Sequence, residues 1–138
     1  MYQITERIIV GKKATLEKDS FINEEIGSSA AIKFVCCQCG HLNSVKIIPY
    51  ESGFPAFQLY DQDKVLSKNE LLKNKMTENT SSYMLHLGEV TVDDMPALYF
   101  GIGCSTCIAK YIGIFGYAEK QPGLEMLKVS GIWNYTTG

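Results

Sequence analysis

The chain has 138 residues, of which 46% are hydrophobic and 20% are charged, and its formal net charge is -2. This length and composition predict one globular domain with a buried core and argue against a disordered chain. Arg7 is the only arginine and the lysines are interleaved with acidic residues, which argues against a nucleic-acid partner because phosphate binding depends on clustered basic side chains.

The ends and apolar runs of the chain indicate its location. The amino-terminal residues have no basic start followed by a long apolar run, so we expect no signal peptide. No stretch reaches the roughly 18 to 20 apolar residues that span a bilayer, so we expect no membrane partner and a cytoplasmic location. Five cysteines fit a disulfide framework poorly, and a reducing compartment would keep them as thiols, typical of metal ligands or redox groups.

Alternation of apolar and polar residues, with many β-branched and aromatic types, predicts a chain built mostly of strands. The predicted strands span residues 3–10, 30–37, 42–50, 83–93, 97–103, 110–119 and 124–135. Leu98, Phe100 and Ile102 occupy alternate positions of one strand and are expected to face the core together. In the strand over residues 83–93 the apolar positions change parity near Gly88, which predicts a bulge there.

Turn signals separate several of these strands. Residues 93–96 (DDMP) are expected to form a turn between two strands. Residues 121–123 (QPG) fit a type II turn with Gly123 in the left-handed position. The polar residues 76–82 are expected to form a surface loop.

Helix signals are few. Ser67 and Glu70 have the spacing of a capping box, in which each side chain binds the other residue's backbone amide. This pattern predicts a short helix over residues 68–76. A second short helix is expected around residues 20–26, ended by Gly27.

Four of the five cysteines form two C-x-x-C pairs, Cys36 with Cys39 and Cys104 with Cys107. Zinc binds four thiolates tetrahedrally at about 2.3 Å. Two cysteines with this spacing can bind one ion if the chain turns tightly and points backbone amides at the sulfurs. Gly40 follows the first pair and permits the left-handed conformation that closes such a turn. The spacing therefore predicts one metal site built from both pairs.

The two pairs resemble the knuckles of a zinc ribbon over residues 32–48 and 100–117. The resemblance implies one structural Zn²⁺ held by Cys36, Cys39, Cys104 and Cys107. Two features depart from that family: no glycine follows Cys107, and the gap between the pairs exceeds the common spacing of roughly 15 to 20 residues. The gap must therefore hold the predicted helix and two or more strands as an insertion.

Other ligand sets would use Cys37, His41 or His86. Cys37 could replace Cys36, although Cys37 and Cys39 are only two positions apart and are therefore poorly placed to bind one ion together around a turn. Otherwise we expect Cys37 to be a small buried or interfacial residue. Either histidine could replace a cysteine, but four thiolates already complete the shell, which predicts ordinary surface or strand histidines.

Redox chemistry and electron transfer are alternative uses of the cysteine pairs. A C-x-x-C oxidoreductase stabilises its first thiolate at a helix N-terminus, whereas the residues after Cys107 continue as glycine-rich, aromatic strand sequence. A thiol redox sensor that releases metal on oxidation would use the same cysteines. So would an iron electron carrier like rubredoxin, although the second pair lacks the glycine of that family.

No catalytic pattern accompanies the cysteines. The segment GIGCSTC lacks the glycine and lysine positions of nucleotide-binding loops, the histidines have no hydrolase pattern beside them, and residues 61–63 (DQD) lack the other ligands of a calcium loop. Aromatic residues concentrate in the last 40 positions and are expected mostly in the core. Tyr99, Tyr111 and Tyr117 would form a protein-binding surface if they were exposed together.

These patterns predict a single mainly β domain over residues 1–138, with antiparallel sheets in a sandwich or barrel-like arrangement and one or two short helices. We expect a non-enzymatic, cytoplasmic protein-binding or adaptor domain with a structural zinc ion and a protein partner. Its size, charge and lack of catalytic residues also resemble those of bacterial immunity proteins, which neutralise a toxin by covering its active site.

Overall fold

Antiparallel strands and a few short helices make up the computed structural model, which describes residues 1–27 and 30–138. The strands are β1 (Ile8–Lys13), β2 (Thr15–Leu16), β3 (Ser20–Ile22), β4 (Ala30–Val35), β5 (Leu42–Ile47), β6 (Phe54–Pro55), β7 (Glu78–Asn79), β8 (Val90–Val92), β9 (Met95–Gly103), β10 (Lys110–Gln121) and β11 (Leu124–Thr137). The α-helices are α1 (Phe57–Tyr60) and α2 (Lys68–Lys73), and 3-10 helices cover Asn23–Glu25, Asp61–Asp63 and Ser82–Leu87. The predicted fold class, mainly β with antiparallel sheets, is confirmed.

The strands of the described residues pair into a large and a small sheet. The large sheet has the order β1-β11-β10-β9-β8-β7, with β3 paired to β11 and β6 paired to β9. This sheet is curled into a half-barrel. The small sheet has the order β2-β4-β5. The long strands β9, β10 and β11 pair consecutively in the large sheet and form the frame on which the other elements pack.

The turns between the long strands have the backbone geometry that their sequences predict. Asp93 and Asp94 both have positive φ, +50° and +58°, and join β8 to β9 as a two-residue hairpin of the type that matches strand twist. Gly123 has φ +83° after Pro122, as a type II turn requires, and joins β10 to β11. Both turn predictions are confirmed.

One face of the central strands packs against the small sheet. Leu98, Phe100 and Ile102 lie on this face of β9, as their alternation predicts. Phe100 is fully buried in the same apolar cluster as Ile32 and Phe34 of β4. This layer holds the small sheet on the half-barrel.

The opposite face of the same strands is also covered. Tyr99 of β9 and Ile114 of β10 lie in a second apolar cluster with Leu59 of α1 and Leu71 of α2. All four side chains are fully buried. Because both faces are buried, residues of both parities along these strands belong to the core.

This two-sided burial corrects the expectation of an aromatic binding surface. Tyr99 and Tyr111 have no exposed surface and Tyr117 is 7% exposed. The condition for a protein-binding surface, that these rings are exposed together, is therefore not met, and the three rings lie in the core as expected for most of the aromatic residues. The rings that alternate with core residues lie under a second layer of structure rather than in solvent.

The predicted start of the helix after Ser67 is confirmed, and its end lies earlier than predicted. At α2, Ser67 Oγ accepts a hydrogen bond from the Glu70 amide and Glu70 Oε1 accepts one from the Ser67 amide, both at 3.1 Å. The helix ends at Lys73, earlier than predicted, because Lys75 turns out of it with φ +57°. The helix expected over residues 20–26 is strand β3 followed by one 3-10 turn.

The segment before β8 was predicted incorrectly. Residues 82–87 form a 3-10 helix rather than a strand, and Gly88, with φ +111°, ends this helix instead of forming a bulge. Only residues 90–92 of the predicted strand are extended. An apolar helical turn on a surface can show the same short alternation as a strand, so periodicity alone does not separate the two.

Residues 76–82 also differ from the predicted surface loop. Met76 is fully buried and Thr77 is 4% exposed. Glu78 and Asn79 form β7, which pairs with β8. Separately, the described part of the chain contains no helix that is long and apolar enough to cross a membrane.

The close packing of β10 on β9 gives a stability prediction. A Cβ at Gly113 would lie 2.2 Å from the Phe100 ring, which is fully buried, whereas a Cβ at Gly103 would approach nothing closer than 3.9 Å. We expect Gly113→Ala to lower the free energy of unfolding by about 1–3 kcal/mol through overpacking. Gly103→Ala is the control, and equal urea midpoints for the two variants would contradict this packing.

Candidate metal centre

The four cysteines of the two C-x-x-C pairs lie together at one end of the packed sheets. Their Sγ atoms all lie within 4.8 Å of one another. Cys36 Sγ is 3.6 Å from Cys107 Sγ, and Cys39 Sγ is 3.6 Å from Cys104 Sγ. A tetrahedral zinc tetrathiolate with bonds of about 2.3 Å has sulfurs about 3.8 Å apart, whereas a disulfide needs about 2.05 Å. The spacing fits four ligands around one ion.

The first pair forms a tight turn between β4 and β5. The amides of Gln38 and Cys39 donate hydrogen bonds to Cys36 Sγ at 3.4 and 3.5 Å. The Cys36 amide donates to the His41 carbonyl at 2.9 Å, which closes the turn. Gly40 has φ +77°, the left-handed conformation expected for it. The backbone thus provides donors that stabilise a thiolate at Cys36.

The second pair repeats this turn between β9 and β10. The amides of Thr106 and Cys107 donate to Cys104 Sγ, at the same two positions after the first cysteine as in the first pair. The Cys104 amide donates to the Ala109 carbonyl at 2.9 Å, again five residues ahead. Ile108 occupies the position of Gly40, and it is not among the described residues with positive φ. The second turn therefore closes without a glycine after its second cysteine, the feature in which the sequence departs from the zinc ribbon.

Side chains to which the sequence gave no role at the metal site also form hydrogen bonds with the sulfurs, among them Asn43 and Tyr111. Asn43 Nδ2 donates to Cys104 Sγ at 3.4 Å, and its Oδ1 accepts from the Ser105 amide at 3.0 Å. The Tyr111 hydroxyl donates to Cys36 Sγ at 3.1 Å. Asn43 is 5% exposed at an inward-facing position of β5. A polar residue at a buried strand position next to a C-x-x-C pair is the signal that could have identified it.

The electrostatics of the centre depend on hydrogen bonds and on crowding of the thiols. The Thr106 hydroxyl, the Thr106 amide and Asn43 donate to Cys104 and lower its pKa to about 5. The Ala109 amide lowers the pKa of Cys107, but burial and the three neighbouring thiols outweigh it and raise that pKa to about 12. Four thiols this close cannot all ionise without a cation, since each negative charge opposes the next. A divalent ion would remove that opposition.

One side of the cysteine cluster is part of the core, and the other side is open to solvent. Cys36 and Cys104 are buried, Cys107 is half-buried and Cys39 is exposed. The thiols of Cys36 and Cys104 belong to the apolar cluster between the two sheets. An ion here would therefore tie the end of the core directly to both turns.

The alternative ligands lie outside the cluster. Cys37 is exposed rather than buried, and its Sγ is not among the four converging sulfurs. Its amide instead donates to the Tyr111 hydroxyl at 2.7 Å. His41 and His86 are exposed. Among the described residues, the four cysteines are the one group of three or more His, Cys, Asp or Glu side chains placed to hold a metal.

Comparison with known proteins gives no family for the chain. No protein-family model, curated protein or solved structure shows a significant match to it. The function must therefore be inferred from the geometry of the cysteine cluster and from the surfaces around it.

The Asn43 contacts give a prediction about the support of the centre. We expect Asn43→Ala to lower the free energy of unfolding by about 1–3 kcal/mol, because the Ser105 amide and the Cys104 sulfur each lose a buried partner. Ser44→Ala, at the exposed neighbouring position, serves as the control and should leave stability nearly unchanged. If thermal unfolding of the two variants were the same, Asn43 would have no role in holding the turns.

Proposed function

We propose that this chain is a non-enzymatic, protein-binding domain whose fold is stabilised by one zinc ion held by Cys36, Cys39, Cys104 and Cys107. The observation that carries the proposal is the convergence of four sulfurs within 4.8 Å, each pair in the same amide-lined turn. Cys₄ sets of this kind are typical of structural zinc sites. Thiolate ligands also select zinc over the hard cations magnesium and calcium.

A closed ligand set supports a structural role over a catalytic one. Catalytic zinc sites combine three protein ligands with one position left for water or substrate. Here the cysteines fill all four positions, and the four thiolates give the filled site a net negative charge. Such a centre is poorly suited to polarising a substrate.

The size of the stabilisation explains why a small domain would keep such a site. A structural zinc ion contributes on the order of 10 kcal/mol or more to folding, and the whole stability of a typical domain is about 5–15 kcal/mol. The fold would therefore depend on the ion. Metal binding and folding are expected to be one cooperative process.

The protein-binding part of the proposal rests on exposed apolar residues. Tyr83 is 78% exposed and Leu85 is 61% exposed, and both lie on the 3-10 helix Ser82–Leu87. Large apolar side chains in solvent are typical of interaction sites when they occur together. We place the domain in the cytoplasm with a protein partner, as an adaptor or as an immunity-type protein that neutralises a toxin.

Metal analysis tests the zinc centre. We expect one zinc per chain by elemental analysis, no visible absorption band, and cooperative unfolding by circular dichroism when a strong chelator removes the ion. Iron with visible absorption would replace the proposal with a rubredoxin-like centre. A melting temperature that does not change after the zinc is removed would contradict the structural role.

Single cysteine variants test the ligand assignment. We expect Cys36→Ser and Cys104→Ser each to lose the bound zinc and most of the folded protein, because each removes one of four ligands. Cys37→Ser is the matched control, since its side chain is exposed and outside the cluster. Equal zinc content in all three purified variants would show that the assignment is wrong.

A further inference from the structure

The edges of the two sheets differ in how they are protected. Exposed edge strands have unpaired backbone groups, and proteins limit unwanted pairing at these edges with short strands, bulges or charged residues. The edge strands β2 and β7 have only two residues each. The edge strand β1 has an irregular register between Val10 and Lys13. In contrast, β5 pairs with β4 in uninterrupted register over all six of its residues.

The hydrogen-bond register shows which groups of β5 point away from β4. The Cys36 amide donates to the His41 carbonyl, so this pair is of the hydrogen-bonded type. Hydrogen-bonded and non-hydrogen-bonded pairs alternate along an antiparallel ladder. The residues of β5 bonded to β4 are therefore Asn43, Val45 and Ile47, and the residues pointing outward are Leu42, Ser44 and Lys46.

The outward backbone groups of β5 are available to another strand. No described strand lies along this edge, and no described group forms a hydrogen bond with the amides or carbonyls of Leu42, Ser44 and Lys46. The side chains of these three residues are also exposed. Three consecutive outward pairs of donor and acceptor can hold an added strand of about six residues.

Contacts with the cysteine turns and with the core hold this edge in place. The first cysteine turn leads directly into β5, and Asn43 holds the strand to Cys104 and Ser105 of the second turn. The inward residues Val45 and Ile47 are buried in the core between the sheets. A fixed edge loses little conformational entropy when a ligand strand adds to it, which favours binding.

We propose that β5 is the docking edge of this domain and binds an extended segment of a partner protein as a fourth strand of the small sheet. This inference rests on the proposed protein-binding function and states how the partner protein binds. Backbone hydrogen bonds supply affinity in this mode, and side chains at alternate positions supply selectivity. Lys46 favours an acidic side chain on the added strand. Leu42, 45% exposed beside Val35 at 36%, favours an apolar one.

A partner segment fits this edge better than a second copy of the chain does. Lys33 and Lys46 are the only charged residues of β4 and β5 and both are exposed. Pairing β5 with itself would bring the lysines of both copies onto one face of a continuous sheet without an acidic residue of β4 or β5 to balance them. Lysines of the two copies that lay directly opposite each other would repel. An acidic strand removes this repulsion and uses the same backbone groups.

Amide hydrogen exchange of the zinc-loaded protein tests the proposal. The probes are short capped peptides that alternate valine or threonine with glutamate, with matched peptides carrying lysine in place of glutamate. In free protein we expect slow exchange at Asn43, Val45 and Ile47. The outward amides of β5 should exchange fast and become protected when the acidic peptide is added, while the lysine peptides bind more weakly.

Ser44→Pro provides the decisive variant. Proline removes the outward amide of residue 44 without removing a bond to β4, and prolines are tolerated at such edge positions. We expect Ser44→Pro to keep its zinc and weaken binding of the acidic peptide by about tenfold. Ser44→Thr is the matched control and should bind like the unchanged protein.

The possible results separate this inference from the zinc proposal. Three results overturn the docking edge even when the zinc content is as expected. They are unchanged peptide affinity of Ser44→Pro, protection by the peptide at residues other than the outward ones of β5, and no binding of any alternating peptide at millimolar concentration. Protection of the outward amides that rises with protein concentration, without peptide, assigns the edge to a second copy and also overturns it. Peptide binding by protein that contains no metal leaves the docking edge standing and removes the zinc proposal.

Discussion

Four sulfurs from opposite halves of the chain meet at one end of the packed sheets. Cys36 and Cys107 are 71 positions apart, and Cys39 and Cys104 are 65 apart, yet each pair of sulfurs lies 3.6 Å apart. Closing loops of this length costs conformational entropy that local contacts do not return. One ion bound by all four would offset that cost at a single point. It would also fix the small sheet against the end of the half-barrel, where the core between the two sheets begins.

The layers on both sides of the central strands determine which side chains of these strands reach the surface. The aromatic side chains of β9, β10 and β11 are buried, because the small sheet covers one face of these strands and the helices cover the other. Among the described residues, the exposed parts include turns, the apolar 3-10 helix Ser82–Leu87 and the edge of β5. Of these, only β5 combines a regular backbone with anchoring by the cysteine turns. The cysteine cluster that is proposed to bind zinc thus also contacts the edge that is proposed to bind a partner.

Features set by neighbouring residues could be predicted from the sequence, and features set by distant contacts could not. The capping box at Ser67 and the turn at Gly123 each follow from chemistry within four residues. The cysteine spacing similarly identified four sulfurs that the structure brings together. Asn43 and Tyr111 were missed because their role depends on which turn lies beside them after folding. The segment over residues 82–87 was predicted as a strand because its apolar residues alternate. Alternation alone does not show whether another strand lies beside the segment to pair with it.

X-ray absorption at the zinc edge of the purified protein tests most directly whether one zinc ion is bound by four cysteine sulfurs. We expect one zinc per chain with a shell of four sulfurs at about 2.3 Å and no nitrogen or oxygen neighbour. A mixed shell that includes histidine nitrogen or water oxygen, or protein that folds without zinc, would contradict it.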